Sequence, residues 1–408
     1  MTATSWLEID LSALDENLAT FRRAMPDGAG VCAVVKADAY GLGLLPIARR
    51  LADRNIDMLA VYSDEEARTL TSAGIARPIL VLMPIRQIDR TDVLYRAAVS
   101  NRLHLTVHSE KQLEAVERIG MSFGHPMPVH IELDTGMSRC GMSADEAGVV
   151  LRRLAEMRYV RLAGIFTHPS SARSDLSKTN QQIHQLDQLI ARNEAAVDPR
   201  ALIHFANTYA AMRDVKYHRS MIRIGLGLYG YGEGRIVGSP AAGIADLKPI
   251  VRWMSRIVHI REVPTGTTVG YEGTFTTYRP SRLAIVPLGY GDGYPTALSN
   301  RAVVRVGPNL TPADLRGKVN MDQLIIDVTE IPEAQIDTEV EVYSNDPGAP
   351  NALDKLAEEI RTHPYEMLCR LKPSIVRRLV NAKSGAGRVT TLSPSRGGLG
   401  RGQASVAR

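Results

Sequence analysis

Roughly the first 230 residues contain eight short apolar runs, and amphipathic stretches with helical spacing lie between them. Each run is too short for a long helix and is almost continuously hydrophobic, which is typical of strands that are buried on both faces. Strands that alternate with helices form parallel sheets, and eight such units favour a (β/α)8 TIM-type barrel over an open doubly wound sheet. The predicted strands are residues 31–36, 58–63, 78–83, 103–109, 128–134, 162–168, 202–208 and 221–228.

The sequence pattern changes after about residue 240, where apolar runs are separated by Gly and Pro turns without long predicted helices between them. This pattern predicts a mostly antiparallel β domain. We therefore predict an α/β barrel over residues 1–240 and a β domain over 241–382, with residues 1–12 free to pair with the second domain. Two short helices are expected near its end, at Leu353–Arg361 and Tyr365–Leu379.

The formal net charge of +5 comes entirely from residues 383–408, which contain five basic residues and no acidic one. This segment is rich in Gly, Ser and Ala, so we expect a disordered, solvated basic tail. Because the rest of the chain is formally neutral, neither a nucleic acid nor a membrane surface is an expected partner.

The three cysteines are far apart, odd in number and without a CxxC spacing. A disulfide framework and a zinc site are therefore not expected, and no other metal is predicted. The chain has no signal-peptide pattern and no apolar stretch of membrane-spanning length, so we predict a cytoplasmic protein. No G-x-G-x-x-G follows a predicted strand, which argues against dinucleotide binding.

Polar residues fall at or just past the carboxyl ends of several predicted strands, at Lys36, Asp134, His168, Asn207 and Thr208. Active sites of barrel enzymes are built on this face. Lys36 directly follows a buried apolar run, and desolvation lowers the pKa of an amine there. Such an amine can attack an aldehyde and form a Schiff base. The sequence therefore predicts a site on this rim, around Lys36.

The segment Lys36-Ala37-Asp38-Ala39-Tyr40-Gly41-Leu42-Gly43 resembles the pyridoxal-phosphate attachment segment of the alanine racemase family, from which Asp38 and Leu42 depart. The resemblance covers roughly residues 6–380. It implies a pyridoxal 5'-phosphate-dependent isomerase that interconverts L- and D-alanine by a two-base mechanism and thereby supplies peptidoglycan precursors. It also implies a homodimer with shared active sites, in which Lys36 holds the cofactor and acts as one base.

The resemblance also assigns cofactor-binding residues. Arg223 is implied to face the pyridine nitrogen, where a guanidinium can only donate a hydrogen bond. His168 is implied to lie against the cofactor ring, and Arg139 to contact both the phenolic oxygen and the substrate carboxylate. The residues implied to bind the phosphate are Tyr40, Asn207, Thr208, Gly225, Leu226 and Tyr365.

Four residues of the predicted β domain complete the implied site. Tyr271 matches the second base, which reaches the site from the other subunit in the family, because racemisation needs proton transfer on both faces of the α-carbon. Met321 matches a residue whose backbone N–H holds the substrate carboxylate. Tyr290 and Asp292 match residues around the narrow mouth of the site.

Glu132 stands where many family members have a carbamylated lysine that holds the arginine matching Arg139. We interpret Glu132 as a carboxylate that preserves this pairing directly. Three further departures, Thr296, Lys318 and Asn320, lie near the mouth and bear on substrate preference more than on reaction type. Serine therefore remains an alternative substrate to alanine.

Two other classes of protein share the barrel. A pyridoxal-phosphate-dependent decarboxylase of a larger amino acid is expected to place a carboxylate against the ring nitrogen, so Arg223 argues against it. A non-enzymatic pyridoxal-phosphate carrier has no second domain and no need for Tyr271 or Met321.

Overall fold

The computed structural model describes residues 4–232, 247–381 and 390–392. The first strand, β1 (Ser5–Asp10), lies outside the barrel, and eight parallel strands close on themselves as predicted, with β2 paired to β9. All eight predicted apolar runs form these strands. The barrel strands are β2 (Gly30–Val34), β3 (Met58–Val61), β4 (Ile79–Val81), β5 (Leu103–Val107), β6 (Met127–Glu132), β7 (Val160–Phe166), β8 (Leu202–His204) and β9 (Met221–Ile224).

Helices surround the barrel and pack their apolar faces against it. Serine side chains start two of them: Ser63 and Ser143 each accept a backbone N–H, and a glutamate three residues later accepts the serine's own N–H. These reciprocal bonds satisfy donors that the first helical turn leaves free. The helices are α1 (Leu11–Arg23), α2 (Leu44–Asp53), α3 (Asp64–Ser72), α4 (Leu94–Val99), α5 (Glu110–Phe123), α6 (Ala144–Glu156), α7 (Leu176–Arg192) and α8 (Thr208–Arg213).

The second half of the chain forms β-sheets, in agreement with the predicted mostly antiparallel domain. Strand β1 joins its largest sheet, between β10 and β19, in the order β16-β15-β18-β10-β1-β19-β20. The elements are β10 (Val251–Arg256), β11 (His259–Val263), β12 (Thr268–Val269), β13 (Phe275–Thr276), β14 (Ser281–Val286), β15 (Val303–Val306), β16 (Thr311–Asp314), β17 (Leu324–Asp327), β18 (Glu339–Tyr343), α9 (Leu353–Glu359), α10 (Pro364–Cys369), β19 (Val376–Val380) and β20 (Thr390–Leu392).

One helix predicted near the C-terminus is wrong. The helix expected over Tyr365–Leu379 ends at Cys369, and the segment Val376–Val380 forms β19 instead. Proline cannot continue a helix and removes a backbone donor, which explains the break. Within the predicted disordered tail, Thr390–Leu392 pair with β19; residues 383–389 and 393–408 lie outside the described part of the chain.

Among the helices of the described residues, none has both the length and the apolar composition needed to cross a bilayer.

Candidate active site

A cavity of about 620 Å³ opens at the carboxyl ends of the barrel strands. It brings together every residue that the sequence assigned to cofactor binding, and Glu132 lines it as well. The residues assigned from the sequence that line this cavity are Lys36, Tyr40, Glu132, Arg139, His168, Asn207, Thr208, Arg223, Gly225, Leu226 and Tyr365.

Lys36 follows β2 and extends into this cavity. Burial lowers the pKa of its amine, and the positive charge of Arg139 acts in the same direction. A lowered pKa increases the fraction of neutral amine, which is the nucleophilic and basic form. The structure therefore gives Lys36 the properties that covalent attachment of an aldehyde cofactor needs.

Small and hydroxyl-bearing groups gather at one end of the cavity. The hydroxyl of Thr208 accepts the N–H of Gly227 at 3.2 Å, and the side chain of Asn207 caps α8 by accepting the N–H of Ala210. A Cβ at Gly225 would lie 2.3 Å from the Tyr40 hydroxyl, so only glycine lets this tyrosine approach the backbone so closely. Hydroxyl groups beside an unshielded backbone form a cradle that fits a phosphate group.

Arg223 lies in the wall of the barrel interior and is 5% exposed. One terminal nitrogen donates to the Nδ1 atom of His204 at 2.9 Å, and the other donates to the Thr167 carbonyl oxygen at 2.8 Å. Burial lowers the pKa of the guanidinium to about 10, so it stays charged at neutral pH. Because a guanidinium only donates hydrogen bonds, Arg223 suits an unprotonated ring nitrogen.

Three histidines continue inward from Arg223 as one hydrogen-bonded chain. His204 contacts His130 at 2.8 Å, His130 contacts His104 at 2.9 Å, and His104 contacts the carbonyl oxygen of Asn101 at 3.2 Å. Burial lowers the pKa of all three, to about 4 for His104, so they are neutral. Since Arg223 can only donate, each imidazole accepts at Nδ1 and donates from Nε2. The chain thus presents a lone pair to Arg223.

His168 adjoins this chain, with its Nδ1 atom 3.4 Å from the second terminal nitrogen of Arg223. Burial lowers the pKa of His168 well below its usual value, and the charges of Arg223, Arg139 and Lys36 lower it further. A neutral His168 that accepts at Nδ1 carries its proton on Nε2, which leaves one donor for another group.

Arg139 follows a loop that Asp134 shapes: the carboxylate of Asp134 accepts the backbone N–H groups of Gly136, Met137 and Ser138 at 2.9 to 3.1 Å. The predicted pairing of Arg139 with Glu132 is wrong. Among the described residues no ion pair within 4 Å joins the two.

The partner of Glu132 is His108, which follows β5, the strand beside β6. The Nδ1 atom of His108 lies 2.8 Å from Glu132 Oε2, although the contact lacks the angle of a hydrogen bond. The Nε2 atom of His108 is fixed by the Leu82 carbonyl oxygen at 2.9 Å. Glu132 therefore faces a histidine at the end of the adjacent strand, and Arg139 lines the cavity without its carboxylate.

Of the predicted site residues in the β domain, Tyr365 lines the cavity of this chain, whereas Tyr271, Tyr290, Asp292 and Met321 do not. Tyr271 is 70% exposed, Met321 55% and Tyr290 46%. Tyr290 and Met321 belong to touching loops, because the Tyr290 N–H donates to the Asn320 carbonyl oxygen at 3.0 Å. The carboxylate of Asp292 accepts the Gly289 N–H and shapes the first of these loops.

Tyr271 lies on the same surface as these loops. Glu272, the next residue, forms an ion pair with Lys318 at 2.5 Å, and Lys318 is three residues from Met321. The described β domain thus carries Tyr271, Met321 and Tyr290 as one exposed set.

The histidine chain was not predicted from the sequence. His104, His130 and His204 each interrupt a nearly continuous apolar run. Polar residues in buried strands need hydrogen-bond partners, so these interruptions were a usable signal for an internal network.

Comparison with known proteins matches the chain to two family models, "Alanine racemase, N-terminal domain" over residues 9–233 and "Alanine racemase, C-terminal domain" over residues 250–379. Alanine racemase from Halothermothrix orenii is 33% identical over 387 residues, which cover 94% of this chain and 99% of that protein. Alanine racemase from Synechocystis is 32% identical over 377 residues, which cover 92% and 99%.

Solved structures show the same similarity. An alanine racemase from Clostridium difficile superposes with a TM-score of 0.84 at 26% identity, over 97% of this chain and all of that one. An alanine racemase from Bacillus anthracis with bound L-Ala-P superposes with a TM-score of 0.80 at 28% identity, over 96% and 98% of the two chains.

Proposed function

The chain belongs to the alanine racemase family, and we propose that it interconverts L- and D-alanine with Lys36 and Tyr271 as the two bases. The predicted enzyme class, an isomerase that depends on pyridoxal 5'-phosphate, agrees with this membership. We further propose a cytoplasmic homodimer whose D-alanine supplies peptidoglycan precursors. The observation that carries the assignment is the desolvated Lys36 in one cavity with a phosphate cradle and Arg223.

The residues of the cavity fit the cofactor. Tyr40, Thr208 and the backbone at Gly225 would hold its phosphate, Arg223 would donate to its ring nitrogen, and Lys36 would hold its aldehyde carbon. When bound, the cofactor would supply electron withdrawal from the α-carbon of the substrate, which would acidify the α-proton.

Lys36 serves as the first base. Because its pKa is lowered, a larger fraction of the Lys36 amine is neutral. The neutral Nζ accepts a proton from one face of the α-carbon, and the protonated Nζ donates a proton to that same face in the reverse direction. Arg139 holds the substrate carboxylate. It is a cation in the cavity that no described carboxylate neutralises within 4 Å.

Tyr271 serves as the second base. Its side chain is 70% exposed and does not line the cavity of its own chain, which supports the proposal that the Tyr271 of one copy reaches the Lys36 of the other. His168, neutral and protonated on Nε2, has a donor that can stabilise a tyrosinate there. Both cavities of a symmetric dimer are completed in the same way.

Arg223 separates this proposal from the decarboxylase alternative. A carboxylate at its position would favour a protonated ring nitrogen and a stronger electron sink, whereas a guanidinium keeps that nitrogen unprotonated. A weaker electron sink would favour return of a proton to the α-carbon over side reactions.

Proton exchange at the α-carbon tests the reaction. The cofactor-loaded protein would be incubated in deuterium oxide with L-alanine, L-serine, lysine or diaminopimelate, and followed by NMR together with assays for the D-enantiomer and for carbon dioxide. We expect deuterium incorporation and D-alanine from L-alanine. Carbon dioxide from a larger substrate would instead identify a decarboxylase, and faster conversion of serine would reassign the substrate.

Subunit mixing tests the shared site. Lys36→Ala and Tyr271→Phe each remove one base, so each homodimer should be inactive. In a shared-site heterodimer one site carries both changes and the other carries neither. An equal, re-equilibrated mixture should therefore regain about a quarter of wild-type activity. Absence of recovery, with heterodimers demonstrated by mass spectrometry, would place both bases on one chain and refute the proposed dimer.

A further inference from the structure

The backbone just after Lys36 has an unusual conformation. Four successive residues, Ala37 to Tyr40, have φ values between 52° and 59°, and Gly41 continues the turn with φ of 79°. L-residues with side chains avoid this left-handed region because Cβ approaches the carbonyl oxygen. Such a segment persists only where its surroundings hold it. The orientation of Lys36 therefore depends on whatever restrains this turn.

Two carboxylates restrain the middle of the left-handed turn. Asp38 accepts the N–H of Leu44, the first residue of α2, at 2.7 Å, and Glu66 accepts the N–H of Asp38 at 3.2 Å. The Asp38 departure from the family pattern thus has a structural use, because a carboxylate is favourable at a helix N-terminus. Neither bond involves the carbonyl oxygen of Gly41, at the end of the turn.

The end of the turn is held from the β domain. Arg377, on β19, donates from Nε and from one terminal nitrogen to the carbonyl oxygen of Gly41, at 3.1 and 2.6 Å. Its other terminal nitrogen donates to the carbonyl oxygens of Lys372, Pro373 and Ile375, at 3.2, 2.9 and 2.6 Å. A rigid guanidinium fork is needed to make this set of bonds, and a lysine ammonium cannot reproduce it.

Two further observations make this contact specific. A Cβ at Gly41 would lie 2.6 Å from the carbonyl oxygen of Leu368 in α10, so the β domain packs directly against the turn. Arg377 is 6% exposed, and no described carboxylate lies within 4 Å of it. Burying a cation costs free energy unless it is hydrogen-bonded. The carbonyl oxygens that Arg377 binds are therefore held in place by these bonds.

We propose that Arg377 is a positioning residue for Lys36: it fixes the left-handed turn through Gly41 and thereby couples the β domain to the base on the barrel. The proposal rests on the proposed function in one respect, namely that Lys36 is a base. In this arrangement the β domain acts on both proton-transfer steps. It carries Tyr271 to the other subunit, and through Arg377 it aims the Lys36 amine of its own subunit.

The test compares neighbouring arginines of one strand. Arg377→Lys and Arg377→Met remove the fork, and Arg378→Lys and Arg378→Met are matched controls. Arg378 follows directly on β19 but stacks on Trp6, with its guanidinium carbon 4.2 Å from the ring centroid. The readouts are hydrogen exchange of residues 36–44 in the dimeric protein, with and without cofactor, and separate kcat and KM values for both alanine enantiomers.

We expect exchange in residues 36–44 to become at least about tenfold faster in both Arg377 variants, with core strands such as β6 unchanged. We expect kcat to fall about 100-fold, because displacement of a reacting group by about 1 Å has that effect. KM should change less than about threefold. Arg377→Lys keeps the positive charge but lacks the guanidinium, whereas Arg377→Met lacks both. Comparison of the two variants separates the effect of the guanidinium hydrogen bonds from the effect of the charge.

Three results would overturn the proposal: unchanged exchange in residues 36–44, an equal loss of kcat in the Arg378 controls, or a uniform rise in exchange through the whole chain. The last would show that Arg377 supports only global stability. If the wild-type protein fails to racemise alanine, the proposed function fails, and the exchange comparison alone still decides whether Arg377 holds the turn.

Discussion

Gly225→Ala should weaken cofactor binding through one defined clash. The added Cβ would lie 2.3 Å from the Tyr40 hydroxyl and 3.0 Å from the adjacent ring carbon. Ordinary contacts begin near 3.4 Å, so the hydroxyl must retreat by roughly 1 Å. The Tyr40 ring packs against Tyr229, with centroids 5.0 Å apart, and this contact limits its retreat.

Overpacking of this kind costs about 1–3 kcal/mol. In the cofactor-free protein the Tyr40 ring can shift slightly toward the cavity that it lines, whereas a bound phosphate would take up that room. The penalty therefore falls on the loaded state and corresponds to about 5- to 150-fold weaker cofactor binding. Titration of cofactor-free protein with pyridoxal 5'-phosphate, followed by the absorbance of the bound cofactor, gives the affinity.

Tyr40→Phe provides the internal comparison, because it removes the atom that clashes. Gly225→Ala should cost less affinity in the Tyr40→Phe background than in the wild type. Gly232→Ala is the control for overpacking elsewhere: its Cβ would meet the Met212 sulfur at 2.9 Å, and a methionine can adapt. Equal losses in the two backgrounds, or wild-type affinity in Gly225→Ala, would refute the clash and with it the phosphate cradle.

Two other predictions concern charge. In cofactor-free protein Lys36 should react with an amine reagent at lower pH than an ordinary lysine, because burial and the Arg139 charge lower its pKa; Arg139→Gln should move that pH profile upward, and a profile that does not move would exclude Arg139 as a cause. In the β domain, Glu341 is 1% exposed and pairs with both Arg252 and Arg305 at 2.6 Å. Glu341→Ala removes the carboxylate that Arg252 and Arg305 share, and it should lower the free energy of unfolding, measured by urea denaturation, by about 3–5 kcal/mol. A loss under about 1 kcal/mol would show that this network does not stabilise the fold.

Much of this architecture could be predicted because it depends on local patterns. Eight apolar runs at short intervals specify a parallel barrel, and the carboxyl ends of parallel strands converge on one rim. Lys36, His168, Asn207 and Thr208 could therefore be grouped before any contact was known. The end of α10 could also have been predicted, because Pro373 lies in the middle of the longer helix that we expected there.

Contacts between side chains far apart in the sequence could not be predicted in the same way. Whether Glu132 faces Arg139 or His108 depends on the lateral order of β5 and β6 and on the loop shaped by Asp134. Arg377 and Gly41 are separated by 336 residues, and no spacing rule links them. Such partners are set by packing between domains, which a linear pattern does not encode.

The charge distribution of the cavity explains why a racemase would keep its histidines neutral. Arg139 and Arg223 are cations that line it, the pKa of the Lys36 amine is lowered, and Glu132 lies against His108. In the proposed function, a phosphate dianion and a substrate carboxylate would together bring up to three negative charges to these cations. A protonated His204 would have no lone pair at Nδ1, so it could not accept the hydrogen bond that Arg223 donates to it. Burial prevents this by lowering the histidine pKa values, and the fixed Nε2–H tautomers then direct lone pairs toward the guanidinium. In the proposed function, the barrel interior would act on the ring nitrogen through Arg223 without adding a titrating group of its own near neutral pH.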